Sequence, residues 1–261
     1  MRIFFAEADP DYSSYTFPYG IYAIPESADE LDEVYNRGFL PYTGNVQLNH
    51  AVFYKARSLK VDLAKFKDTS ENRRLSRKYE GRSVSVQKRD LSFLQSEGVV
   101  DFMLEYAGER FSKGKMPPTR LRYIFEWPFL SGILEFQLDG EILGYLLYCE
   151  FDKGFHYWFS FYNLKLPPAL APGKYMMWKT IHHLRALDLE YLYLGTCYGS
   201  TSLYKVRDFK GMDFHDGNQW ISDLKLLKKR CRTDDEMVKN NGDSFKSAED
   251  MNRYIRDLGI G

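Results

Sequence analysis

Cysteine is scarce in this chain, and what there is lies far apart. Cys149, Cys197 and Cys231 are the only three in 261 residues, and no Cys-x-x-Cys pair exists. That excludes a disulfide framework and a cysteine-held zinc or iron–sulfur site, so no metal is expected, and the usage fits a reducing, cytoplasmic setting. Long apolar runs are missing too. No stretch of 18 or more apolar residues occurs, and the start from Met1 to Asp9 lacks the apolar core of a signal peptide, so neither a membrane partner nor a leader is expected. There is no excess of one charge: Lys plus Arg equals Asp plus Glu at 36 each, so net charge names no partner. Internal repeats and low-complexity linkers are absent as well.

Aromatics are plentiful, at 16% of the chain with 20 Tyr and 19 Phe. They suit a β-rich core, or stacking surfaces for bases or sugars. Ser27-Ala-Asp-Glu30 has the form of a capping box and predicts a short helix over 28–36 that stops at Gly38. Alternation over 46–66 predicts two strands, and 90–112 reads as a helix interrupted at Gly98. Residues 119–160 read as consecutive antiparallel strands (120–127, 133–138, 142–151 and 155–161), with Asp139-Gly140 and Asp152-Lys-Gly154 as turns. A helix over 173–187 and a buried strand over 191–194 follow. The tail is polar from Lys225, with a loop at Asn240–Asp243 and a last short helix over 248–258. The expected organisation is an N-terminal region over 1–89 packed on a catalytic domain over 90–225, with a polar tail over 226–261.

Charge placement is more informative than its total. Lys65, Lys67, Arg73, Arg74, Arg77, Lys78, Arg82, Lys88 and Arg89 crowd the basic segment 65–89, while Glu71 and Glu80 are the only acids among residues 70–89. Ser70-Glu71-Asn72 opens a helix on which Arg73 and Arg77 share a face. The strip is either a solvated surface or a seat for an anion such as phosphate. A second such seat is Leu170-Ala-Pro-Gly173-Lys174-Tyr175, where the helix over 173–187 begins and its free N–H groups favour negative charge. The order helix, antiparallel strands, helix, further strand is similar to the GNAT (acyl-CoA N-acyltransferase-like) fold. That is an α+β class with a mixed, mostly antiparallel sheet flanked by helices. In that fold the acyl donor lies where the strands on either side of the helix part. One glycine of the usual coenzyme A loop is present, Gly173, so an ordinary Pro-Gly helix start remains open.

No catalytic group stands out by spacing. His182 and His183 have no acid or cysteine at ligand spacing, and His50, His156 and His215 are isolated. Glu126, Glu135 and Glu150 fall in strand-like text, and each is a possible amine base. Cys197 follows a strand and is a possible nucleophile, although transfer from an activated ester needs none.

Several short motifs then occur in one order. They are Ser70-Glu-Asn-Arg73-Arg74, Asp139-Gly-Glu-Ile-Leu-Gly144, Phe159-Ser-Phe-Tyr162-Asn163, Ala171-Pro-Gly-Lys-Tyr175, Tyr191-Leu-Tyr-Leu-Gly195 and Leu203-Tyr204-Lys205. Together they resemble the arginyl- and leucyl-tRNA–protein transferases over roughly residues 38–90 and 120–220. The resemblance implies transfer of an amino acid from aminoacyl-tRNA to the α-amine of a protein or peptide N-terminus, as in an N-degron pathway. Aminoacyl-tRNA is then a co-substrate and no resident cofactor is implied. By position, Tyr204 and Lys205 would sit at the reacting centre. Tyr162, Asn163, Gly173, Lys174 and Tyr175 would line the donor site, and Ser70, Arg73, Arg74, Arg77 and Lys78 would meet tRNA. The sequence departs from that family where its N-terminal cysteine cluster would stand, at Asn163 in place of Asp, at Leu203 in place of Met and at Thr196 after Gly195. Two other readings stay open: an N-acyltransferase using acetyl-CoA, and a non-catalytic relative that binds tRNA or protein N-termini.

Overall fold

Residues 132–162 carry apolar side chains at successive positions, the pattern of strands covered on both faces. A computed structural model, which describes residues 1–7, 19–111, 116–207 and 209–239, puts them at the centre of the molecule. The elements begin with β1 (Arg2–Glu7), β2 (Tyr19–Ile24), α1 (Leu31–Asn36), β3 (Phe39–Pro41), β4 (Phe53–Lys55) and β5 (Ser58–Asp62). Next come α2 (Ser70–Arg77), β6 (Val84–Arg89), α3 (Val99–Arg110), α4 (Pro118–Phe125), β7 (Gly132–Leu138), β8 (Glu141–Glu150) and β9 (Gly154–Tyr162). The rest are α5 (Pro172–Leu184), β10 (Tyr191–Thr196), α6 (Tyr204–Arg207), β11 (Met212–His215), β12 (Trp220–Ile221) and α7 (Leu224–Lys239).

A four-stranded sheet has the order β1-β2-β4-β3, and an eight-stranded sheet has the order β12-β11-β5-β10-β9-β8-β7-β6. All pairs in the large sheet are antiparallel except β9 with β10, which needs a crossover, and α5 supplies it. Strands β5 and β6, from the 1–89 region, both lie in this sheet. One face is covered by α2, α5 and α7 through Leu75, Met176, Ile181 and Leu227. The other is covered by α1, α3, α4 and the small sheet through Val34, Met103, Ile124 and Phe53. The fold is thus α+β, mostly antiparallel and flanked by helices.

Several expectations are corrected. Residues 120–127 are not a strand: α4 starts on Pro118 at N1, and Leu121 and Ile124 are buried three positions apart, a helical spacing. Ser27 makes no side-chain cap; the Glu30 carboxylate instead accepts from the Glu26 N–H at 2.7 Å and binds the Met1 ammonium, and α1 begins only at Leu31. The capping box of α2 belongs to Thr69 and Asn72, which exchange bonds, so Ser70 is simply the first residue of the helix. Val46 and Leu48 are in loop structure rather than a strand, whereas 84–89, read only for its charge, is β6. The polar tail contains α7, whose apolar positions Leu227 and Cys231 recur at helical spacing. The loop at Asn240–Asp243 and the helix expected over 248–258 lie outside the described residues.

Strand β9 carries a bulge opposite β8: Leu147 faces Phe159 and Tyr148 faces Tyr157, leaving Trp158 as the extra residue. Gly144 in β8 is required by a close approach. A Cβ there would lie 2.3 Å from the Phe161 carbonyl oxygen and 2.7 Å from Met176 Sδ. Backbone cannot yield as a flexible side chain does, so Gly144→Ala is expected to cost about 1–3 kcal/mol, as overpacked cores do. The check is a urea titration, which should show a lower midpoint at unchanged slope.

Candidate active site

Strands β9 and β10 are paired only through Gly154–Tyr191, Phe155–Leu192 and His156–Tyr193. Beyond that last rung the two strands diverge, and two cavities occupy the gap. The first, about 460 Å³, lies between the end of β9 and the start of α5 and is lined among others by Arg110, Asn163, Gly173 and Lys174. The second, about 410 Å³, opens towards the small sheet and is lined among others by Thr43, Arg120, His156, Thr196 and Lys205. Tyr106, Phe111, Ser160 and Tyr204 belong to both walls, so the cavities meet at the parting of the strands. Among the described residues neither is lined by Asp or Glu; each is lined by two basic side chains, Arg110 with Lys174 and Arg120 with Lys205.

At the head of α5, Ala171 takes the left-handed conformation (φ 51°) and Pro172 occupies the first helical position. The glycine at 173 has a different reason from the one its sequence context suggests. A Cβ would lie 2.7 Å from the Tyr162 ring, so it is Tyr162, not a ligand, that packs against it. Tyr162 in turn stands edge-on to Tyr106 with centroids 4.9 Å apart, and the Arg110 guanidinium lies 5.5 Å from its ring centre. Asn163 lines the cavity, but its side chain already serves the backbone: Nδ2 donates to the Ile142 carbonyl and Oδ1 accepts from the Lys165 N–H at 2.9 Å. Tyr175 points away from the cavity and is buried in a stack on Tyr79, with ring centres 3.5 Å apart.

That stack ties α2 to α5. Lys78 Nζ donates to the Ala169 carbonyl and Tyr79 Oη to the Leu170 carbonyl at 3.2 Å, so the residue after α2 and its neighbour grip the segment leading into α5. The basic segment is partly neutralised, once by a near neighbour, Asp62, and three times by acids from distant sequence. Lys65 meets Asp62, Arg82 meets Asp139, Lys88 meets Glu150 and Arg89 meets Glu135, all at 2.7–2.9 Å. Arg74 pairs within its own helix with Glu71. Ser70, Arg73 and Arg77 remain on the exposed side of α2, and Arg73 donates to the Asp68 carbonyl at 3.0 Å.

Tyr204 and Lys205 reach the site from the turn after β10. Gly195 adopts φ 76° where the β5–β10 register slips, and the Thr196 carbonyl accepts from Lys205 Nζ at 3.0 Å. The turn is braced from behind. Arg57 forks onto Asp234 of α7 at 2.7 and 3.2 Å, and Asp234 accepts from the Gly199 N–H at 2.8 Å. Burial pushes the Lys205 ammonium below its ordinary range. Tyr204 keeps 52% of its surface, yet desolvation around it raises its hydroxyl above the ordinary value.

The other candidates fall away. Glu135 is buried in its pair with Arg89, Glu150 is held by Lys88, and Glu126 sits exposed at the end of α4; none of them lines the paired cavities. The Cys197 thiol is pushed far up by its hydrogen bond to Cys231, 3.7 Å away, and by burial, so it is no thiolate. His182 shares Asp68 with the Trp178 indole. Among the described residues no group of three or more His, Cys, Asp or Glu is placed to hold a metal. None of the described helices is long and apolar enough to cross a membrane. Sequence reasoning gave no site role to Tyr106, Arg110, Arg120 or Ser160 and set His156 aside as isolated; they come from α3, α4 and β9, and of them only Ser160 falls within one of the ordered motifs. Only apolar strand text broken by Ser160 and His156 hinted at an open face.

Burial drives His156 down to about 3 and His215 to about 4, from 6.5. Between those values and 6.5 the unfolded chain binds more protons than the folded one. Stability therefore rises with pH through this window and is lost as pH falls, by up to about 1.4 kcal/mol per pH unit for each ring. Urea midpoints measured from pH 7 to pH 4 should fall accordingly, and His156→Gln should flatten the slope.

Residues 72–210 match the family described as acetyltransferase (GNAT) domain. No curated protein sequence matches the chain. Solved structures with a similar arrangement include the C-terminal domain of a putative lysylphosphatidylglycerol synthetase from Agrobacterium fabrum, at TM-score 0.38 and 15% identity over 64% of this chain and 51% of that one. L-PGS from Bacillus licheniformis is similar at TM-score 0.38 and 13% identity, over 64% and 51%. FemX is similar at TM-score 0.38 and 10% identity, over 68% and 63%. The chain thus spans 51% to 63% of the structures it resembles.

Proposed function

We propose that this chain, which belongs to the acetyltransferase (GNAT) domain family, is an acyltransferase and that the group it moves is an aminoacyl group carried by tRNA. The observation that carries this reading is the pair of joined cavities, lined among the described residues by four basic side chains and by no Asp or Glu. Such a site favours an anionic donor, and the exposed basic side of α2 adjoins it through Lys78 and Tyr79. A cationic surface continuing beyond the cavity suits a polyanion better than a single coenzyme. The ordered motifs from Ser70 to Lys205 point the same way.

In this reading Ser70, Arg73 and Arg77 meet the tRNA backbone, and Lys78 also holds the segment before α5. The 3′ end enters the first cavity past Gly173 and Lys174, against Tyr162. Asn163 and Tyr175 act by position, the first fixing the end of β9 and the second fixing α5. The acceptor, a protein or peptide N-terminus, comes through the second cavity. Its amine attacks the ester carbonyl carbon, and the bond from that carbon to the ribose oxygen breaks. The ribose oxygen leaves with a proton from Tyr204, and the proton shed by the amine returns the hydroxyl to its starting state. The ammonium of Lys205 favours the uncharged form of the incoming amine, which spares the site a carboxylate base. Because the ester is already activated, positioning carries most of the task.

A second reading, transfer from acetyl-CoA, is favoured by the apolar wall of the first cavity at Leu164, Leu166 and Pro168. One experiment separates the two. The protein is incubated with labelled aminoacyl-tRNAs or with acetyl-CoA, together with peptides that differ in their first residue. Label passing from tRNA to a peptide amine is the expected result; label passing only from acetyl-CoA selects the second reading. For tRNA binding, Arg73→Ala with Arg77→Ala should weaken affinity and reduce the salt slope by about 2, roughly one per phosphate contact. An unchanged slope would remove α2 from the interface.

A further inference from the structure

His156 stands at the parting of the strands, since His156–Tyr193 is the last rung of β9–β10 pairing. It is buried, with 2% of its surface exposed, yet it lines the second cavity. Its Nδ1 lies 2.9 Å from the Tyr35 hydroxyl. Tyr35 is itself locked in place, stacked on Phe151 with centroids 4.5 Å apart and edge-on to Phe53 at 5.9 Å. With Nδ1 engaged, Nε2 is the ring's remaining polar atom, and no described residue partners it.

The strength of the available acceptors favours one tautomer. The Tyr35 hydroxyl has one proton and is too deeply buried to lose it. The Cys149 thiol, also buried and protonated, lies against the same oxygen. If His156 donated from Nδ1 as well, the Tyr35 proton would have to turn to the Cys149 sulfur, a much weaker acceptor than an imidazole nitrogen. The low-cost arrangement has Tyr35 donating to Nδ1, which places the ring proton on Nε2. Burial keeps the ring neutral at physiological pH, and with Nδ1 engaged by Tyr35 the atom left for the cavity is the Nε2–H donor.

We propose that His156 is a catalytic oxyanion donor, its Nε2–H aimed from the second cavity at the acyl carbonyl oxygen as negative charge develops there, with Tyr35 as the positioning residue that sets the tautomer. Lys205 is close enough to act on the His156 ring electrostatically, so a cation and a neutral donor converge on the same end of the cavity. A preorganised donor in a site shielded from water contributes far more than one in solution. The inference rests on the acyl-transfer reading but not on the donor, because an ester and a thioester both pass through such an oxyanion.

The test has a spectroscopic arm and a kinetic arm. Long-range proton–nitrogen correlation on the wild-type protein should show His156 protonated at Nε2 and unchanged between about pH 5 and 9. The titratable groups around the ring are Tyr35 from α1, Cys149 from β8 and Tyr193 from β10 beside it, with Lys205 from α6 acting on it and Arg120 from α4 lining the same cavity, and none of them is a carboxylate. A proton on Nδ1, or titration near the ordinary value, overturns the proposal. In kinetics with whichever donor supports turnover, His156→Leu should lower kcat about 10²–10³-fold with the donor KM little changed. His156→Gln, which keeps an N–H donor, should recover most of that loss, and Tyr35→Phe should lower kcat while leaving the packing in place. If wild-type turnover is seen and His156→Gln is no better than a correctly folded His156→Leu, or if all variants match wild type, this proposal fails alone. If neither donor gives wild-type turnover, the acyl-transfer reading fails and takes this one with it.

Discussion

The structure depends on two strands that stop pairing. Once β9 and β10 part after His156–Tyr193, their facing backbone groups need other partners, since an unpaired buried N–H or carbonyl is costly. The surroundings provide some of these. Thr196 gives its carbonyl to Lys205, Cys197 gives its N–H to the Arg57 carbonyl, and the N–H of Asn163 turns to Leu143 on β8. The bulge at Trp158 restores Ser160 and Tyr162 to the face that carries α5, and Gly195 lets β10 turn away. The gap is therefore built into the sheet, and the braces around it keep it open.

Holding that gap has an electrostatic consequence. The cations placed around it are partly stripped of water, which is why Lys205 is pushed down and why His156 stays neutral. Glu135, Glu150 and Asp234 are engaged elsewhere, in pairs with Arg89, Lys88 and Arg57. The last of these is largely buried and bidentate, and it supports the turn bearing Tyr204 and Lys205 from outside the cavity. These acids brace the frame, and among the described residues none of them lines the opening.

Much of the frame could be read before any coordinates were known. The hairpin at Asp139-Gly140 occurs with φ 54° and 87°, both left-handed, as a two-residue turn of this kind requires. The β7–β8–β9 meander, the crossover helix and the strand after it all stand where the text puts them. The misreadings share a cause. At 120–127, Leu121, Tyr123 and Phe125 alternate as they would in a strand, while Leu121 and Ile124 fit a helix; burial of the latter pair decides it. At 84–89 the charges of Lys88 and Arg89 masked an edge strand, and edge strands carry such charges to resist further pairing.

The sequence by itself determined the local chemistry: which segments alternate, where glycine and proline break them, and that the order of elements is that of the GNAT fold. It also carried the motifs that put Tyr204, Lys205, Gly173 and Lys174 around one opening, because those residues lie close to turns that local rules describe. Only the tertiary structure decided how far the basic strip is neutralised, because its partners Asp139, Glu135 and Glu150 are 46 to 62 residues away. It likewise decided that Tyr175 stacks in the core, that Gly173 serves Tyr162, and that His156 meets Tyr35 from 121 residues away. Spacing along a chain specifies the neighbours within a turn or two, whereas contacts across a sheet follow from which strands lie side by side.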